Sequence, residues 1–162
     1  MLELRSASPA DTRSIAAAVA ALARPGDVVV LAGEMGAGKT AFAQGFGAAL
    51  GVDEPMTSPT FTLVRSYATP RFDLHHADIY RLATHGEVAD LALAELVEQH
   101  GVLLVEWGDV VAGALGDHLA VRLEHVDDDE SARIVVLSGI GRSWAARWDR
   151  LVSSLAERRA GS

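Results

Sequence analysis

The chain has 162 residues, a formal net charge of −8, 49% hydrophobic and 22% charged residues, and no cysteine. Its apolar fraction excludes wholesale disorder, its length fits a single domain, and the lack of cysteine excludes disulfides, cysteine-ligated zinc and thiol catalysis. No apolar run approaches the roughly 20 residues that cross a bilayer, and the first residues lack a secretory pattern, so we expect a soluble cytoplasmic protein.

Arginine supplies nearly all of the positive charge. Lysine and arginine together number 14, and Lys39 is the only lysine. An acidic protein with a pI near 5.1 lacks the basic surface that binding to a phosphate backbone requires. We therefore expect no direct binding of DNA, and any chemistry that needs a lysine must use Lys39.

The first elements along the chain are an edge strand and a helix. Leu2 to Arg5 predicts the strand, and Ser8 is typical of the N-cap of a helix with Pro9 at its first position. The helix ends at Pro25-Gly26. Its apolar face consists of Ile15, Val19 and Leu22.

A strand, a glycine-rich loop and a second helix come next. The run from Val28 to Ala32 is short, apolar and β-branched, which is typical of a parallel strand buried on both faces. The loop covers Gly33 to Thr40. The helix after it ends at Gly51 and carries Phe42, Phe46 and Leu50 at helical spacing.

The middle of the chain predicts two neighbouring strands, a helix and a further strand. Val52 to Pro59 is a loop, and the strands follow over Thr60 to Tyr67 and Phe72 to Asp78. Residues 86–99 favour a helix. Val102 to Val105 is a fully apolar strand that ends at Glu106.

The last part of the chain predicts a hairpin and a terminal helix. Leu119 to Leu123 alternates apolar and polar residues, Asp127 to Glu130 is an acidic turn, and Ile134 to Leu137 is the return strand. The stripe of the terminal helix consists of Trp144, Trp148, Leu151, Val152 and Leu155. Residues 1–162 therefore predict one α/β domain, with a mostly parallel central sheet, an antiparallel extension and helices on both faces.

The loop carries a phosphate-binding motif. Its sequence GEMGAGKT matches G-x-x-x-x-G-K-[ST], between a buried strand and an amphipathic helix. We expect backbone N–H groups and the helix dipole to hold ATP phosphates, Lys39 to reach the β- and γ-phosphates, and Thr40 to bind Mg²⁺. The alternative is a glycine-rich turn without a ligand. The expected nucleotide contacts are Gly33, Glu34, Met35, Gly36, Ala37, Gly38, Lys39, Thr40 and Ala41.

A phosphate-binding loop of this kind needs an acidic partner at the end of a neighbouring strand. Glu106 and Asp78 each follow a predicted strand, and both can lie at the carboxyl edge of the sheet. The alternative for each is a solvated carboxylate at a strand end. The adjacent His75 and His76 are more typical of strand or surface histidines than of a metal site.

Four sequence segments together identify a protein family far more specifically than the loop alone does. They are GEMGAGKT at 33–40, TSPTFTLV at 57–64, HADIYRL at 76–82 and VEW at 105–107. In this order and spacing they resemble the bacterial TsaE family, also called YjeE, from about Ser8 to Arg133. The chain departs from the family pattern at Ala41, Ala77 and Gly108.

The resemblance implies a small P-loop ATPase needed for threonylcarbamoylation of adenosine 37 in tRNAs that read codons beginning with A. It implies TsaB and TsaD as partners, a separate enzyme that supplies threonylcarbamoyl-AMP, only indirect contact with tRNA and no contact with a membrane. Intrinsic turnover should be low, because nothing in the sequence identifies a strong general base or an obvious arginine finger. Arg65 and Arg81 are candidates for the latter.

The resemblance also assigns roles to residues. Lys39, Asp78 and Glu106 take catalytic roles, with Glu106 and Thr40 on Mg²⁺ and Asp78 on Mg²⁺ or the attacking water. Thr60 lies in a hydroxyl-rich segment similar to a nucleotide-sensing switch, for which an ordinary turn is the alternative. The positions equivalent to Trp107, Thr12 and Arg133 lie near the nucleotide, and Trp107 alternatively near a partner surface.

Two other functions remain in competition with hydrolysis. One is a kinase that phosphorylates a small molecule, and the other is a nucleotide-gated adaptor that hardly hydrolyses ATP. A kinase usually needs a cationic lid, and only Arg142, Arg147 and Arg150 cluster in sequence.

Overall fold

The computed structural model describes residues 1–34, 36–54, 56, 64–78 and 101–106, and then 116–158, with the side chain of Asp78 excepted. None of the helices in these ranges is both long and apolar enough to cross a membrane. The described strands are β1 (Leu2–Ser6), β2 (Val28–Gly33), β3 (Val64–Ala68), β4 (Asp73–Asp78), β5 (Val102–Glu106), β6 (His118–Val126) and β7 (Asp129–Ile140). The described α-helices are α1 (Pro9–Leu22), α2 (Lys39–Leu50) and α3 (Trp148–Ser154).

The strands form one seven-stranded sheet in the order β1-β7-β6-β2-β5-β4-β3. The central strands β6, β2, β5 and β4 are parallel to one another, whereas β1, β7 and β3 pair antiparallel at the two sides. This mixed sheet confirms the predicted α/β class. It places β2, which leads into the glycine-rich loop, between β6 and β5.

The two faces of the sheet differ in what covers them. Val29 and Leu31 belong to one buried core with residues of all three described α-helices. Val28 and Val30 point to the opposite face and are also buried. Continuous burial on both faces explains why β2 is wholly apolar. The predicted helix over 86–99, expected on a face of this sheet, lies outside the described residues.

Helix α1 begins as its sequence predicts. The hydroxyl of Ser8 accepts a hydrogen bond from the backbone N–H of Asp11, and Pro9 occupies the first helical turn. The carboxylate of Asp11 also accepts from the N–H of Ala7 and pairs with Arg158 at 3.0 Å. These contacts lower the pKa of Asp11, with the Ala7 hydrogen bond as the largest cause.

The hairpin is longer than predicted, and its acidic turn is shorter. Strand β6 runs from His118 to Val126 and β7 from Asp129 to Ile140, so the turn consists of Asp127 and Asp128 alone. The polar residues of this segment look like a turn in sequence, but His125 pairs with Arg133 and, after a register shift, Val126 pairs with Asp129. The acidic turn predicted to end at Glu130 is therefore wrong, because Glu130 lies within β7.

The terminal helix is also shorter than its apolar stripe suggests. A 3₁₀ turn covers Ala145–Arg147, α3 covers Trp148–Ser154, and a second 3₁₀ turn covers Ala156–Arg158. Trp144 precedes all of them and is buried. The apolar residues of the predicted stripe therefore do not all lie on one continuous helix.

Candidate functional site

The glycine-rich loop connects the end of β2 to the start of α2. Gly33 and Gly38 have φ values of +150° and +107°, which other residues rarely adopt. A Cβ on Gly33 would lie 2.7 Å from the carbonyl oxygen of Leu123. The loop therefore needs glycine at both ends, for backbone conformation and for its close approach to β6.

Lys39 is the first residue of α2, and its ammonium group turns back over the loop. The Nζ atom donates hydrogen bonds to the carbonyl oxygens of Gly33, at 2.6 Å, and Glu34, at 3.1 Å. The residue is only 8% exposed. Thr40 follows in the first helical turn and is exposed. The single lysine of the chain therefore holds its charge at the end of β2, beside the N-terminus of a helix.

Two more residues, named above from the resemblance, lie against this loop. The buried Thr12 on α1 has its hydroxyl 2.7 Å from the hydroxyl of Ser6, and its methyl lies 3.9 Å from where a Cβ on Gly38 would stand. Arg133 on β7 donates from Nη2 to the carbonyl oxygen of Gly36 at 3.1 Å. Contact of either residue with a nucleotide stays a prediction.

The two candidate acids lie side by side in the sheet. Asp78 pairs with Glu106 in the register of β4 and β5, and Leu31 of β2 pairs with Glu106 on its other side. Because paired residues share a face, Glu106 points to the same face as Leu31, where α1 and α2 pack. Its side chain is 4% exposed. The parallel strands thus bring both acidic positions to the edge from which the loop emerges.

Sequence reasoning missed a third member of this group. His76 lies two residues before Asp78 on the same strand, so that both positions share a face, and its Nε2 is 3.5 Å from Oε2 of Glu106. The sequence could have predicted this placement, because residues 76 and 78 share a face when the strand is regular. His75 points to the opposite face, where its Nδ1 is 2.7 Å from the hydroxyl of Ser66.

The donor atoms at this edge suit a small hard cation. A threonine hydroxyl and carboxylates supply the oxygen ligands that Mg²⁺ prefers. In proteins, Mg²⁺ usually fills its other coordination positions with waters and with phosphate oxygens of the substrate. Within the described ranges, no group of three or more histidine, aspartate or glutamate side chains could hold a metal. Thr40 and Glu106 stay the predicted protein ligands of Mg²⁺.

Four of the predicted site positions cannot be placed in full. Met35, Thr60 and Trp107 lie outside the described residues, and Asp78 is placed by its backbone alone. The remaining members of the predicted set surround the loop between β2 and α2.

Comparison with known proteins gives a consistent result. Residues 6–135 match the family described as "Threonylcarbamoyl adenosine biosynthesis protein TsaE". The chain is 38% identical to the Bacillus subtilis protein named tRNA threonylcarbamoyladenosine biosynthesis protein TsaE, over 88% of this chain and 89% of that one. A Treponema pallidum protein of the same name is 40% identical over 81% of this chain and 96% of its own length.

A solved structure supports the same relationship. The crystal structure of Bacillus subtilis YdiB superimposes with a TM-score of 0.74 and 33% sequence identity, over 96% of this chain and 94% of that one. Sequence family, relatives and fold thus agree over most of the chain. The chain belongs to the TsaE family, whose members carry the name of tRNA threonylcarbamoyladenosine biosynthesis proteins.

Proposed function

We propose that this protein binds ATP with Mg²⁺ and hydrolyses it slowly, in support of threonylcarbamoylation of adenosine 37 in tRNA. The observation that carries the proposal is the placement of Lys39 beside the glycine loop, with Glu106 at the end of the adjacent strand. Phosphoryl transfer needs a positioned cation and a carboxylate at such a sheet edge. We propose the cytoplasm as the location, because the tRNA substrate of the pathway is there.

The residues of the chain have separate tasks in this proposal. The N–H groups of the loop and the start of α2 bind phosphate oxygens. Lys39 exchanges its two carbonyl partners for phosphate oxygens when a nucleotide binds. Thr40 and Glu106 hold Mg²⁺, which supplies charge stabilisation for the transferring phosphoryl group. Asp78 orients the attacking water or contributes to the metal site.

TsaB and TsaD are the proposed partners, and tRNA is contacted only through them. The net charge of −8 supports indirect contact with tRNA, since an acidic chain has few cations with which to bind RNA. An acidic protein is instead suited to a basic surface on a protein partner.

Hydrolysis is better supported than a kinase reaction. Of the three arginines that cluster in sequence near the C-terminus, Arg147 is 3% exposed and forms a buried ion pair with Asp27. It is therefore committed to the fold and is not available to a phosphate lid. A nucleotide-gated adaptor differs from the proposal only in turnover, so a rate measurement separates the two.

The proposal is tested by measuring ATP hydrolysis by the protein alone and with TsaB and TsaD. We expect inorganic phosphate as the product, and a loss of about 100-fold or more in rate for Lys39→Ala, because a preorganised charge on the transferring phosphate is removed. Arg150→Ala removes one exposed positive charge on α3 and serves as the matched control.

Three outcomes would contradict it. Normal hydrolysis by Lys39→Ala excludes the proposed site. A phosphorylated small molecule in place of free phosphate favours the kinase. Nucleotide-dependent association with TsaB and TsaD without measurable turnover favours the adaptor.

A further inference from the structure

A buried histidine and a buried glutamate face each other beside the proposed metal site. His76 is 1% exposed in its side chain, Glu106 is 4% exposed, and Nε2 of His76 is 3.5 Å from Oε2 of Glu106. They belong to adjacent parallel strands, in which His76 pairs with Leu104, two residues before Glu106. The imidazole therefore approaches the carboxylate diagonally across the sheet.

Among the described residues, the Glu106 carboxylate is the main polar group near the His76 ring. Neither ring nitrogen has a hydrogen-bond partner among the described residues. In the same ranges, the carboxylate within ion-pair distance of the ring is that of Glu106. A buried ring nitrogen without a partner is destabilising, so a small closure of the 3.5 Å gap into a hydrogen bond would be favourable.

We propose that His76 is a positioning residue for the Glu106 carboxylate. A proton held on Nε2 points at Oε2 and restricts the rotation of the side chain, so that the carboxylate presents one fixed edge to Mg²⁺. Outer partners of this kind orient metal ligands in many proteins, and their loss typically lowers metal affinity about 10–100-fold. This inference rests on the proposed function, in which Glu106 is a ligand of Mg²⁺.

The chain offers a matched control on the same strand. His75 is adjacent in sequence, also buried, and directed to the opposite face, where it contacts Ser66 instead of Glu106. Replacing either histidine by leucine removes a buried imidazole from β4. Of the two, only the change at His76 removes a ring nitrogen that faces the Glu106 carboxylate.

The experiment measures the affinity for Mg²⁺ of the protein saturated with ADP, by titration with MgCl₂, and the affinity for ADP in EDTA. We expect His76→Leu to lower the Mg²⁺ affinity about 10–100-fold, with ADP affinity in EDTA unchanged within about twofold. His75→Leu should leave both affinities at wild-type values. Glu106→Gln marks the effect of losing the ligand itself.

A second pair of variants covers the case in which His76→Leu fails to fold. The amide nitrogen of glutamine reaches about as far as Nε2 of histidine, whereas that of asparagine reaches about as far as Nδ1. We therefore expect His76→Gln to retain Mg²⁺ affinity within a few-fold and His76→Asn to lose it. A structural role alone would not separate these two polar variants.

The outcomes distinguish the inference from the function on which it rests. If the wild type binds no ADP, or if Glu106→Gln does not change its Mg²⁺ affinity, the proposed site itself fails. If Glu106→Gln weakens Mg²⁺ binding, the proposed site stands. The positioning role of His76 is then overturned if His76→Leu leaves the Mg²⁺ affinity unchanged, or if His76→Asn binds Mg²⁺ as tightly as His76→Gln does.

Discussion

His75 and His76 are neighbours in sequence, but their side chains have different surroundings. His76 faces Glu106 at the loop side of the sheet, whereas His75 is buried on the other face against Ser66. Burial lowers the pKa of His75 below its ordinary value, and the nearby charge of Asp73 opposes this shift. A buried imidazole that resists protonation makes the folded state sensitive to acid.

The sign of this pH dependence follows from linkage. Because the pKa of His75 is lower in the folded chain than in the unfolded chain, the unfolded state binds more protons once the pH falls below about 6.5. We expect the free energy of unfolding to decrease from neutral pH into this range, and the decrease to be smaller for His75→Leu. Chemical denaturation at a series of pH values measures it.

His125 provides the comparison for that measurement, because it is exposed on β6. His125→Gln should retain the wild-type slope of stability against pH. If His75→Leu and His125→Gln have the same slope as the wild type, burial of His75 does not contribute to acid sensitivity.

At the level of elements, helices α1 and α2 cross closely enough to require a glycine. A Cβ on Gly45 would lie 2.4 Å from the carbonyl oxygen of Arg13, a backbone atom that cannot rotate away. A Cβ on Gly47 would instead meet the Sδ atom of Met56, at 2.0 Å, on a flexible side chain. The two glycines of α2 therefore differ in how their neighbours can respond.

This difference predicts unequal effects of the same substitution. Gly45→Ala should destabilise the protein by about 1–3 kcal/mol, because overpacking forces the helices apart. Gly47→Ala should cost less than about 1 kcal/mol, since the gain in helix propensity offsets the displacement of Met56. Urea unfolding of both variants tests this, and equal losses of stability would contradict the close crossing at Gly45.

The helical and strand elements also show where sequence reading succeeds. Strand β2 and helix α2 begin and end close to the predicted residues, because both have strong local signals: a β-branched run and a glycine at each end of the helix. The hairpin of β6 and β7 is longer than predicted, since pairing between strands stabilises residues such as His125 and Arg133 that have no strand pattern of their own.

Across the whole molecule, a buried ion pair joins residues far apart in the sequence. Arg147, just before α3, donates from Nη1 to Asp27 Oδ2 at 2.6 Å and from Nη2 to Asp27 Oδ1 at 2.9 Å. The guanidinium also lies 4.0 Å above the ring of Trp144 and donates to the carbonyl oxygen of Leu22. The end of the chain is thereby held to the connection between α1 and β2.

Loss of this pair should destabilise the protein strongly. Arg147→Met leaves the Asp27 carboxylate buried without its cation, for which we expect a cost of about 3–5 kcal/mol. Arg122→Met breaks the exposed pair with Glu124, and we expect a loss of about 1 kcal/mol or less. Thermal and urea unfolding measure both, and similar small losses in the two variants would contradict a stabilising role for Arg147.

The sequence alone determined the α/β class, the glycine-rich loop around Lys39, and Glu106 as a carboxylate at a strand end. These features are encoded locally, in apolar runs, glycines and a fixed spacing of residue types. Only the tertiary structure decided the strand order, the contact between His76 and Glu106, and the burial of Arg147 against Asp27. Those contacts join distant segments, and their geometry depends on the register between strands and on helix packing, which local patterns do not specify.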